Sequence, residues 1–284
     1  MNCIFCKQNA SNSKSVEHVI PESLGSKKLV LPKGIVCDKC NNYFARKIEK
    51  PLLDHDSFRN IRPWYQVPTK KGKYPSVKGE IRGTGVEINI KRNSENKLDI
   101  NSEKQKDKSE VSSFDISKNP LIFKLEIDPP KKLMSRFMAK MALEFVAFRG
   151  HKDKSSFEKT ITDPYFDYLR EYARYGMITK NWPISSRVVF PIETQMRHPE
   201  TNEWVHAGFG YDTFMNSKRE TYFCFLLYGV EFVINMGGPS VKGYELWLEE
   251  NNHISPMVER VGARLATKTI NGKEKHFLEG DFKV

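Results

Sequence analysis

Two Cys-x-x-Cys pairs, Cys3-Ile4-Phe5-Cys6 and Cys37-Asp38-Lys39-Cys40, fall within the first forty residues and are separated by thirty residues. Each pair can form a tight knuckle. Four thiolates at this spacing suit a tetrahedral zinc, with the second pair closing the intervening loop. In a chain that starts without a basic region followed by an apolar stretch, such pairs read as metal ligands before disulfides. Residues 1 to about 50 hold too few apolar side chains for an unaided core, so the metal is expected to supply folding energy. The fifth cysteine, Cys224, sits in the apolar run Thr221 to Leu227 and reads as a buried core thiol.

The pairs bracket the run Ser15-Val16-Glu17-His18-Val19-Ile20-Pro21. Val16, Val19 and Ile20 suggest a short strand, Gly25-Ser26 a turn, and Asn41 onward a helix that buries Tyr43-Phe44 and Ile48. Pro51 marks a kink or stop in that helix. Glu17 offers a carboxylate for a hard cation, and His18 an imidazole that accepts a proton near neutral pH. Neighbours on a strand point to opposite faces, so the two act together only where the backbone twists or bulges. Asn41 follows the last cysteine directly, which would pin its amide at the start of the helix, where it can complete a metal site with Glu17.

The order Cys-x-x-Cys, Glu-His-Val-Ile-Pro-Glu-Ser-Leu-Gly, Cys-x-x-Cys-Asn resembles the HNH endonuclease superfamily. It is closest to the branch in which two cysteine pairs surround a Glu-His core. The resemblance implies a ββα-metal finger with Cys3, Cys6, Cys37 and Cys40 as a structural zinc cage. It makes His18 the general base that activates water, and Glu17 the acidic ligand of a catalytic Mg²⁺ or Mn²⁺. Asn41 takes the place of the final ligand, with Asn42 as the other amide in reach. Arg46 and Lys47 on the following helix are placed to contact backbone phosphates. One departure concerns the Asn that many members carry before the last cysteine pair to orient the histidine. Leu31-Pro32-Lys33-Gly34 stands there instead, which leaves that work to a backbone carbonyl or to Asn42.

The activity implied is metal-dependent hydrolysis of DNA phosphodiesters, of the kind used in restriction or phage defence. The competing expectation is a zinc module that binds nucleic acid or protein without catalysis. Charge agrees with either. Lys+Arg number 46 against 35 Asp+Glu, a net of +11, with nine and four in the first fifty residues. Such an excess bears on partners, nucleic acid first among them, and not on fold. No apolar run approaches the roughly 20 residues that span a bilayer, and the chain reads as cytoplasmic, without a membrane partner. A homodimer that cuts both strands and a regulatory ligand or protein on the C-terminal part are further expectations of the resemblance.

The finger is expected over 1–58 and a larger α+β domain over 59–284. Strands are expected at Ile61–Pro68 and Gly85–Lys91, followed by a polar surface loop over 91–118 with seven Lys+Arg and six Asp+Glu. Leu121–Ile127 alternates as a strand should. Asp128-Pro129-Pro130 then opens an amphipathic helix over Lys132–Arg149, with Met134, Phe137, Met138, Met141, Phe145 and Phe148 at helical spacing and Gly150 as its end. A second helix is expected from Asp163-Pro164 to Tyr175. Strands follow at 187–193, 204–210, 222–227, 231–236 and 244–248, with Tyr228-Gly229-Val230 as a hairpin turn. The C-terminal part reads as a mixed α+β domain, two helices packed on an antiparallel sheet. His55, between Asp54 and Asp56, would lie about 21 Å along an unbroken helix from Asn41. It is read as a surface or packing histidine, as are His151, His198, His206, His253 and His276.

Overall fold

The computed structural model describes residues 1–65, 67–69, 72–82, 86–92, 98–102, 121–123, 126–176, 181–198, 200–260 and 262–280. The class is mixed α+β with an N-terminal ββα finger. Its contacts divide the chain into two units. One comprises Met1–Val19, Leu29–Ile48 and Lys131–Val284, the other Ile20–Lys28 and Glu49–Pro130. The finger expected over 1–58 is therefore shared between the units, and its zinc-ligand segments belong with the C-terminal half.

The finger begins with β1 (Glu17–His18), paired antiparallel with β2 (Val30–Leu31) in the register Glu17 to Leu31 and His18 to Val30. The helix α1 (Asp38–Phe44) follows, with Cys37 as its N-cap, and one π turn extends it over Ala45–Glu49. Pro51 sits in the first turn of α2 (Lys50–Asp54), where its missing N–H costs least. Phe44 and Ile48 are buried as expected, and Phe5 packs on Phe44 with ring centroids 4.4 Å apart.

Next come α3 (Asp56–Arg59) and α4 (Ile61–Trp64). The strand expected from Ile61 is thus a helical turn. Asn60 keeps helical angles, φ −73° and ψ −29°, and Pro63 lies in the first turn, where no N–H partner exists to lose. A four-stranded antiparallel sheet is formed by β3 (Val77–Ile81), β4 (Val86–Arg92), β5 (Leu98–Ser102) and β6 (Leu121–Phe123), in the order β5-β4-β3-β6. Val77, Ile81, Ile88 and Ile90 form its buried face. β5 corrects the expected 91–118 loop over Leu98–Ser102. There Ile100 lies opposite Ile90 and packs against that face, so pairing with β4 outweighs the polar composition. Residues 93–97 and 103–118 of that loop lie outside the described residues.

The C-terminal half begins with α5 (Lys131–Gly150), whose Met134, Phe137, Met138, Met141 and Phe145 are buried. α6 (Lys154–Thr162) was not anticipated. Its N-cap is Asp153, whose side chain accepts from Ser156 N at 2.8 Å. α7 (Asp167–Tyr175) ends where expected, at Gly176 in the left-handed region.

The strands β7 (Ile184–Val188), β8 (Gln195–Arg197), β9 (Trp204–His206), β10 (Phe209–Met215), β11 (Thr221–Leu227) and β12 (Val230–Asn235) follow. After them come α8 (Lys242–Glu250), α9 (Pro256–Glu259), β13 (Arg264–Ile270) and β14 (Lys273–Glu279). They build an antiparallel sheet β10-β11-β12-β7 and a second sheet β13-β14-β8-β9, in which β14 and β8 run parallel. Phe145 of α5 packs on Phe223 of β11, with centroids 5.7 Å apart. The strand expected at 244–248 is α8. Tyr244 and Leu248, four residues apart, are its buried positions, while Leu246 between them is exposed, which is a helical and not an alternating pattern. No helix among the described residues is long and apolar enough to cross a membrane.

Candidate metal centre and active site

The four sulfurs of Cys3, Cys6, Cys37 and Cys40 all lie within 4.8 Å of one another, with Cys6 Sγ and Cys37 Sγ 3.6 Å apart. A tetrahedral zinc with bonds near 2.3 Å requires sulfurs about 3.8 Å apart. Backbone amides already point at the cluster: Cys37 N donates to Cys3 Sγ at 3.3 Å and Cys40 N to Cys37 Sγ at 3.5 Å. The Cys40 thiol and the backbone amides of Cys37, Cys6 and Phe5 hold Cys3 down to about 5 against burial, while contact with Cys3 and burial push Cys40 up. Four adjacent thiolates need a cation among them, and the donor set fits zinc.

The knuckle positions the rest. Asp38, the first residue of α1, accepts from Lys14 N at 3.1 Å, from Ser15 N at 2.8 Å and from Ser15 Oγ at 2.5 Å. These bonds, Ser15 first, hold its carboxyl below the usual range. They tie the approach to β1 onto the start of α1. Asn41 completes the tie, its Nδ2 donating to Val16 O at 3.3 Å. Of the two candidate amides, Asn41 is therefore the one beside the strand that carries Glu17 and His18. Asn42 is exposed and, with Lys39, Tyr43, Arg46 and Lys47, lines a hollow of about 240 Å³. Three cations around one hollow on the outer face of α1 suit phosphate contacts. Lys39 was not singled out from the sequence.

Glu17 is buried, and His18 is half-buried with an Nδ1 that has no hydrogen-bond partner among the described residues. Among the described residues, neither Asn42 nor a backbone carbonyl is hydrogen-bonded to His18 Nδ1. Glu17 meets a cation from α5: Lys140 Nζ lies 2.6 Å from its Oε1 and 3.4 Å from the His18 carbonyl oxygen. Sequence reasoning missed Lys140, because nothing local distinguishes one lysine on an amphipathic helix from another.

Two further residues brace the finger from the C-terminal half. Arg136 Nη2 donates to Tyr43 Oη at 2.7 Å and to Arg174 O at 2.6 Å, while Tyr43 itself donates to Arg174 O. His55 belongs to the second unit, where its Nδ1 accepts from Ser57 N at 3.3 Å and caps α3. Cys224 is buried, and burial pushes its thiol well up.

No curated protein and no solved structure matches the chain. Residues 3–57 match the model of the family described as HNH endonuclease, a segment that runs from Cys3 past both cysteine pairs, so the N-terminal part of this chain is an HNH endonuclease domain.

Proposed function

We propose that this chain is a metal-dependent endonuclease that hydrolyses DNA phosphodiesters, with His18 as general base. The observation that carries this reading is the tie from Asn41 Nδ2 to Val16 O, which sets the helix start against the Glu17-His18 strand inside a domain matched to nucleases. Glu17 and Asn41 are the residues that would hold a catalytic Mg²⁺ or Mn²⁺. A carboxylate and an amide oxygen are the hard donors such ions take. When bound, the ion neutralises charge that develops on the phosphate and the leaving oxygen.

The chain's own residues do the rest. With Nδ1 of His18 turned inward, Nε2 is the nitrogen left to take a proton from the attacking water. Lys39, Arg46 and Lys47 around the hollow contact the nucleic-acid backbone without reading its sequence. The C-terminal half supports the finger and serves target recognition or regulation, in a restriction or phage-defence role. Family analogy supports that assignment.

The test is cleavage of plasmid, linear and single-stranded DNA, modified and unmodified, with Mg²⁺ or Mn²⁺. The wild type should cut. His18→Ala should lose cleavage while it keeps zinc and DNA binding. A wild type that binds DNA and cuts none of these substrates would make the domain a zinc-binding interaction module instead.

A further inference from the structure

Lys140 has no exposed side-chain surface, and neither has Glu144, one turn further along α5. The ammonium sits 2.9 Å from Glu144 Oε2, 2.6 Å from Glu17 Oε1 and 3.4 Å from His18 O. Removing three charged groups from water is costly, and an apolar side chain of similar volume would be cheaper at such a place. The same helix already buries Met134, Met138 and Met141. The ionic solution therefore adds geometry more than stability.

That geometry concerns one residue. β1 is two residues long and is held to β2 through two residue pairs, too little to fix a glutamate with three side-chain torsions. Lys140 anchors the carboxylate by one oxygen and the strand by the next carbonyl. Glu144 holds the lysine in turn at the i,i+4 spacing. Outer partners of this kind orient the groups that bind a metal.

We propose that Lys140, backed by Glu144, is a positioning residue that fixes the Glu17 carboxylate for the catalytic divalent ion. α5 then completes a centre that the finger alone leaves unfinished. The inference rests on the nuclease reading.

The test uses the full chain and Mn²⁺ alone as probe, titrated by calorimetry or electron paramagnetic resonance, beside zinc content, circular dichroism and DNA cleavage. Lys140→Met combined with Glu144→Leu removes the helix pair together. Lys140→Arg keeps the charge but moves its attachment point. Both variants should keep their zinc and bind Mn²⁺ about 10–100-fold more weakly, with kcat reduced and KM for DNA unchanged. If the double variant loses its zinc, Lys140→Arg decides. A folded variant that binds Mn²⁺ as tightly as the wild type, or more tightly, overturns the assignment and leaves the nuclease reading intact. A wild type that neither binds Mn²⁺ nor cuts overturns both.

Discussion

Arg170 Nε donates to the Ile4 carbonyl oxygen at 2.5 Å, so a side chain of α7 seals the first zinc knuckle from 166 positions away. The guanidinium is buried and also donates to Thr160 O at 2.8 Å. Arg170→Ala should strand both carbonyls at about 1–3 kcal/mol each. Urea titration checks the loss, and zinc release to a competing chelator should become faster.

Zinc itself is the second prediction. One zinc per chain should survive dialysis. Cys37→Ser should remove a zinc ligand while its hydroxyl can still cap α1 by accepting from Cys40 N, as the Cys37 sulfur does. Elemental analysis should then find no stoichiometric zinc, and circular dichroism should show loss of helix at the N-terminal module.

Nucleic-acid affinity should depend on the hollow lined by Lys39, Arg46 and Lys47. Each of Lys39→Ala, Arg46→Ala and Lys47→Ala should weaken binding to all sequences alike. Each should also lower the slope of log K against log salt by about 1. Filter binding across a salt series measures it. An unchanged slope in the triple variant would remove this face from the interface.

Glu231 tests the C-terminal half. It is fully buried, and its Oε1 accepts from Arg187 Nε at 2.8 Å and from the Tyr244 hydroxyl, while Oε2 accepts from the Ser255 hydroxyl. Burial and this carboxylate push the Tyr244 phenol up. Glu231→Ala leaves the guanidinium without its counter-charge, at roughly 3–5 kcal/mol. Melting should fall by roughly 6–20 °C.

His206 should contribute a pH dependence. His206 is exposed on β9, and the partial desolvation of its ring lowers the imidazole below the ordinary value, against the opposing pull of Glu193. The unfolded chain therefore binds this proton at higher pH than the folded one. Stability is present above about pH 6.5 and is lost as pH falls through the lower folded value. His206→Gln should flatten the melting temperature between about pH 7 and 5, and thermal melts across that range check it.

The finger was legible because its signals are local. The cysteine spacing, the Glu-His pair and the Asn after the last cysteine all sit within 40 residues, and the structure gathers the four sulfurs. α5 was legible for the same reason, through its apolar period. α8 was misread because Tyr244-Glu245-Leu246-Trp247-Leu248 satisfies alternation and helical spacing alike, and only burial of Tyr244 and Leu248 separates them. The β13–β14 hairpin carried a usable signal that went unread: Asn271-Gly272, whose φ angles of 52° and 72° suit a primed turn. Lys140 and Arg170 were not legible at all. Their roles depend on partners 123 and 166 residues distant, and a single sequence holds no mark of such pairing.

That separation also has a consequence in time. A ribosome that adds about 5–20 residues each second needs roughly 8–33 s to pass from Ile4 to Arg170. Both cysteine pairs emerge early in that interval, so the knuckles can close while the lysine that meets Glu17 is still unmade. A nascent or prematurely terminated chain thus carries the finger's motifs without the helix that braces them.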